Sequence, residues 1–251
     1  MASQAPAAGY VPQPMRLTVN QRIRYGYHKW GFVIYRCTYD DDALWEAFVT
    51  MLKASAAAYL QARKQENILG PDLQWTIIED RATLDGASKE TVRQHFLDWV
   101  AAHSVERDGE GIDNPSVPQL PRFRYCVYVD ADCLNAIRAW WCSVRPAGYR
   151  LRGEVVVIQA APETPDGSLD SEEEDDEDDE DVYDAVEGCT ADNVGWMYYA
   201  ADGLLELYEE LAWTGSHTET WRLVYERPGP DGPREERGEN PVSADLSQQV
   251  R

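Results

Sequence analysis

The sequence is short of the signatures that announce catalysis or metal binding. Its five cysteines (Cys37, Cys126, Cys133, Cys142 and Cys189) include no CxxC pair, which removes the common zinc and dithiol redox motifs. Its four histidines (His28, His95, His103 and His217) form no HExxH. His95 and His103 stand two helical turns apart, about 12 Å along a helix axis, too far to share an ion. No GxGxxG, Walker loop or GxSxG occurs, leaving open only a catalytic set assembled from distant positions. No apolar run approaches the roughly 20 residues of a membrane span, so no membrane partner is expected. No cofactor is expected either.

Basic residues are scarce and unevenly placed. The formal net charge is −22, with 45 acidic against 23 basic residues. Asp166 to Glu187 hold fourteen Asp and Glu and no Lys or Arg, and the rest of the chain comes to only −8. The surplus charge therefore belongs to one stretch. Scattered cysteines within apolar segments, and no apolar leader in MASQAPAAGYVPQPM, point to a reducing, intracellular setting, cytoplasm or nucleus, and a soluble protein.

What is present is a chain rich in aromatics, with nine Trp and fourteen Tyr. Residues 1–24 read as a flexible lead-in and 227–251 as a disordered tail, flanking a single α+β domain over 25–226 with an acidic disordered loop at 163–188. Period-2 patterning predicts strands over 30–39, 73–79, 122–129 and 154–160. Spacings of three and four predict helices over 43–64, 88–106, 131–144 and 192–213. Thr220 to Glu226 reads as a fifth strand.

With the 88–106 helix set aside as an insertion, the order is strand, helix, strand, strand, helix, strand. That is the split βαβ, ferredoxin-like pattern: an antiparallel sheet with helices on one face, here extended by a C-terminal helix and strand. A doubly wound parallel sheet is the rival, since helices separate almost every pair of strands. It should carry a glycine-rich phosphate loop after the first strand, and Cys37-Thr38-Tyr39-Asp40 contains no glycine.

Two acidic turns, Asp40-Asp41-Asp42 and Asp130-Ala131-Asp132, each fall between a strand and a helix. Carboxylates there suit helix N-termini; a hard-metal site is the sharper alternative, but no calcium-loop spacing surrounds them. In the sheet, Phe32, Ile34, Trp75, Ile77, Tyr125 and Val127 are expected to face the helices. Tyr35, Thr76, Ile78, Arg124, Cys126 and Tyr128 then face the other way, and that second face is too apolar to stand in water. The C-terminal helix, a second copy in a homodimer, or a ligand could cover it. For a ligand, Tyr35, Arg36, Arg124 and Tyr128 are the candidate facing residues, the arginines suiting a carboxylate or phosphate. Catalytic residues are not identifiable.

Nucleic acid is not an expected partner. Arg122–Val129 lacks the glycine and spaced aromatics of an RNA-recognition strand, and the net charge repels phosphate. The acidic run Glu172, Glu173, Glu174, Asp175, Asp176, Glu177, Asp178, Asp179, Glu180 and Asp181 is instead a candidate docking strip for a basic protein, or a solubilising loop. Ser171, with Glu174 three residues on, suits an acid-directed kinase.

The stretches WGFVIYRCTYDDDALWEAF and FRYCVYVDADCLNAI resemble a family of uncharacterised filamentous-fungal proteins with a GFxIYRxxY strand and an FxYCxxVD strand. The resemblance spans roughly residues 25 to 160. It implies a fungal, intracellular protein and carries no reaction. Two functional expectations follow: a non-enzymatic interaction protein with an acidic docking loop, or a cofactor-independent small-molecule enzyme or ligand-binding protein of the dimeric α+β barrel type.

Overall fold

A computed structural model describes residues 15, 18–19, 29–103, 120–142, 153–160, 183–212 and 217–229. Among these residues, five strands form one open, mixed sheet: β1 (Val33–Arg36), β2 (Thr76–Ile78), β3 (Tyr125–Val129), β4 (Glu154–Gln159) and β5 (Trp196–Ala200), in the order β2-β1-β3-β4-β5. β1 is parallel to both β2 and β3; β3 pairs antiparallel with β4, and β4 with β5. The architecture is thus α+β, but the sheet is not antiparallel throughout as the split βαβ reading required. Its first three strands instead follow the order of the doubly wound rival.

The crossovers explain the helix placement. Helix α1 (Asp42–Ala62) and the short α2 (Glu66–Leu69) lead from β1 to β2. Helices α3 (Arg81–Leu84), α4 (Lys89–Ala102) and α5 (Pro121–Arg124) lead back from β2 to β3. The two crossovers run in opposite directions, so a common right-handedness sets them on opposite faces of the sheet. Arg36 lies 5.1 Å from the ring of Trp45 on α1, whereas Tyr35 meets His95 and Phe96 on α4 at 5.3 and 6.4 Å. Helix α6 (Ala131–Cys142) packs beside α1, as does α7 (Leu204–Leu211), whose Tyr208 meets Phe32 edge-on at 5.1 Å. Helices therefore cover both faces, not one. The 88–106 helix is the second face's roof rather than an insertion.

Local sequence accounts for the main elements. Asp41 caps α1 through Leu44 N–H (2.9 Å), and its apolar stripe of Leu44, Trp45, Phe48, Val49, Leu52, Ala56 and Leu60 is buried. Ser88 caps α4 through Thr91 N–H (3.1 Å), burying Val92, Phe96 and Trp99. Asp130 caps α6 through Cys133 N–H (2.9 Å). Gly31, at φ 101°, lets the chain enter β1 against the backbone of Gln74: a Cβ there would fall 3.0 Å from its carbonyl oxygen and 2.9 Å from Leu73 Cδ1.

Three segments differ from expectation. Residues 192–213 are not one helix: Trp196–Ala200 is β5, and the helix begins at Leu204. The aromatic run WMYYA fits a pleated strand, and Gly195 at φ 76° breaks the chain just before it. Residues 217–224 are helix α8 (His217–Val224), not a strand. Trp221 is buried while Arg222 and Leu223 are exposed, and the Trp221 carbonyl accepts from Tyr225 N–H (2.7 Å), a helical rather than alternating pattern. Arg122–Arg124 form a helical turn begun by Pro121, whose fixed φ suits a first helical position, so the strand starts at Tyr125.

Candidate functional site

The register confirms how the two sheet faces divide. Ile34 pairs with Ile77 and Val127 on one face; Tyr35 pairs with Ile78 and Tyr128 on the other. The second face is closed by α4 and the turn before it. The Tyr35 hydroxyl lies 3.1 Å from His95 Nδ1, and the Tyr128 hydroxyl donates to the Ala87 carbonyl (3.0 Å). Burial pushes both phenols well above the ordinary tyrosine value. The C-terminal helix is not the cover.

The four candidate ligand-facing residues do not converge. Tyr35 and Tyr128 are adjacent and buried under α4. Arg36 points to the opposite face, its Nε donating to the Thr38 carbonyl (2.9 Å), with Asp42 and Glu79 on its guanidinium. The plane also lies over Tyr39 at 4.4 Å, and Trp45 Nε1 donates to Glu79 (2.6 Å). Arg124 ends α5 and sits 5.5 Å from the Tyr125 ring. A buried arginine between two rings and two carboxylates has its charge and planar donors occupied.

The C-terminal edge of the parallel strands is where open α/β sheets place ligands. Here three of its carboxylates are engaged in the fold: Asp41 caps α1 and accepts from Arg138 (2.6 Å), Asp80 accepts from Ala82 N–H (3.1 Å), and Asp130 caps α6. Among the described residues no group of three His, Cys, Asp or Glu is disposed to hold a metal ion, and no helix is long and apolar enough to cross a membrane. Cys37, Cys126 and Cys133 are buried free thiols. Burial, then the nearby Asp130 carboxylate, pushes Cys37 up to about 12.

The acidic run Glu172–Asp181 and Ser171 lie outside the described residues; the antiparallel strands on either side of them, β4 and β5, lie within. The run joins β4 to β5, and Arg93 of α4 grips both strands at that end: Nε donates to Gln159 O (3.1 Å) and Nη2 to Gly195 O (3.2 Å). Past the run, Val186 and Cys189 exchange backbone hydrogen bonds (2.9 and 3.0 Å) around Glu187 and Gly188, both at positive φ. Lys89 pairs with Glu187 while lying 4.2 Å from the Trp196 ring. Arg227 donates to the carbonyls of Asp184 (2.8 Å), Ala191 (3.0 Å) and Cys189 (3.2 Å). Sequence reasoning missed this clamp, because nothing local marks an arginine that bonds main-chain carbonyls far along the chain.

A crevice lined by Glu154, Tyr198, Glu226, Arg227, Pro228 and Gly229 encloses about 30 Å³, room for a water or two. What fold and site together define is an open mixed sheet, helix-covered on both faces, in which basic side chains hold the described residues that flank the acidic segment. No protein-family model matches the chain, and no curated protein or solved structure matches it.

Proposed function

We propose that the protein is a non-enzymatic interaction protein whose acidic segment docks a basic partner protein. The observation that carries this reading is the concentration of fourteen carboxylates, with no Lys or Arg, between Asp166 and Glu187, on a hairpin whose roots are fixed by Arg93, Lys89 and Arg227. A charge run of that density attracts a Lys/Arg-rich surface by long-range, salt-screened forces. Rooting it in the folded body makes it a fixed address for such a partner. The pocket-enzyme alternative draws less support, since Tyr35 and Tyr128 are packed beneath α4 and Arg36 belongs to the other face.

The test is binding of a fluorescent Lys/Arg-rich peptide to the full chain and to a chain lacking residues 166–182, which leaves the Lys89–Glu187 contact intact. The full chain binds at low salt, with affinity falling steeply as salt is added; the deletion weakens it at least tenfold. Equal affinity of the two chains removes the proposal.

A further inference from the structure

Near the start of the chain, a short segment is seated in a groove of the body. Met15 is buried and joins the apolar core, which also contains Leu60, Leu69 and Leu211. Its N–H donates to Gln65 Oε1 (2.7 Å) at the junction between α1 and α2. Three residues on, buried Thr18 donates through both its N–H (3.0 Å) and its hydroxyl (2.6 Å) to Glu209 Oε2 on α7. Val19 N–H closes a helical turn on the Met15 carbonyl (3.2 Å). Two side chains thus capture main-chain donors while an apolar seat takes one side chain. Grooves that bind short linear segments work in this way: the main-chain grip supplies affinity and the pocket supplies selectivity.

We propose that the groove between the α1–α2 junction and α7 is a docking site for a Met-x-x-Thr segment, occupied by the chain's own Met15 and Thr18 and open to the same stretch of a second copy once its own is displaced. The chemistry of the seat sets the ligand. An apolar side chain must fill the pocket. A hydroxyl three residues later must reach Glu209, and a second carboxylate in its place would be repelled, the more so because Glu206 and Glu210 share α7 with Glu209. Residues 20–28 join the segment to Lys29 and can reach about 30 Å when extended, so the tether permits exchange between copies. In cis, the tether holds the segment at a high effective concentration, so the chain's own copy outcompetes one in solution.

The experiment uses the full chain carrying Thr18→Asp, which sets a carboxylate against Glu209 and releases the chain's own segment. The probe is a fluorescein-labelled peptide spanning residues 12–22, followed by anisotropy. The Thr18→Asp chain is expected to bind the peptide saturably, and the wild-type chain at least tenfold more weakly. Adding Glu209→Ala to the Thr18→Asp chain, or placing Thr18→Asp in the peptide, should abolish binding. Equal binding to the wild-type and Thr18→Asp chains, or none to the latter, overturns the proposal. Should circular dichroism show that Thr18→Asp unfolds the chain, Met15→Ser, which empties the apolar seat, is judged by the same criteria.

Discussion

The two halves of the sheet share one apolar core and differ in how their strands are connected. In β2-β1-β3, each parallel connection carries a helix that returns across a face, and stability comes from apolar contact: Phe32, Ile34, Phe48 and Phe96 are fully buried. In β4-β5, the connecting sequence is acidic, and the residues flanking it are held by hydrogen bonds from arginine and lysine to main-chain carbonyls and to Glu187. The first half resists perturbation through area removed from water, which salt scarcely affects. The second buries Val155, Val157, Ile158 and Met197 as completely, and its connection adds a few polar contacts that must each be satisfied. The comparison sets a helix-packed connection against a hydrogen-bonded one, over a core that both halves share.

The sharpest way to break this contrast is to hollow one half and trim the other. Phe48→Ala, beneath the parallel half, should cost about 3–5 kcal/mol, read from urea unfolding midpoints. Tyr183→Ala, beyond the acidic run and 38% exposed, should cost under about 1 kcal/mol; comparable losses would erase the distinction.

Alkali probes the buried thiol in the parallel half. The folded chain holds the Cys37 proton to about 12 against an ordinary 9.0, so the unfolded chain releases it first. Its contribution is complete below pH 9 and is lost as pH rises towards 12, at up to ~1.4 kcal/mol per pH unit. Cys37→Ala should flatten that slope in urea titrations repeated across this range.

Arg93→Met keeps the stem of the side chain and removes the grip on Gln159 and Gly195. Gln159 O and Gly195 O each lose the arginine, although Gly195 O keeps the Gln159 N–H (2.9 Å); the cost should be about 1–3 kcal/mol, and amide exchange should rise at Gly195 and Trp196 before it rises in β1. Uniform acceleration across the sheet would mean that the clamp is not local. The smallest effect separates the thiols: a maleimide should label exposed Cys142 rapidly while Cys37, Cys126 and Cys133 react only on unfolding.

The parallel half was also the legible one. Its strands are continuous apolar runs, and Asp41, Ser88 and Asp130 mark helix starts in the sequence as they do in the fold. The division of Tyr35 and Tyr128 from Ile34 and Val127 followed from alternation alone. What covers them does not, because alternation within a strand says nothing of the face on which the return crossover from β2 lays its helix. In the other half, Trp196, Tyr199, Leu204, Leu207, Tyr208 and Leu211 share a spacing that imitates one helix while spanning a strand and a helix. Met15 and Thr18 gave no signal, since their anchors stand 50 and 191 residues away. Contacts of that separation depend on the tertiary arrangement, not on the local period.

Arg93 has a mechanical consequence. It stands on the helix that roofs Tyr35 and Tyr128, and it holds the ends of two neighbouring strands at once. A pull on the acidic segment therefore divides between two carbonyl attachments and passes into that roof. The load reaches the middle of the sheet through Phe96 and His95 before it can peel β5 from the margin.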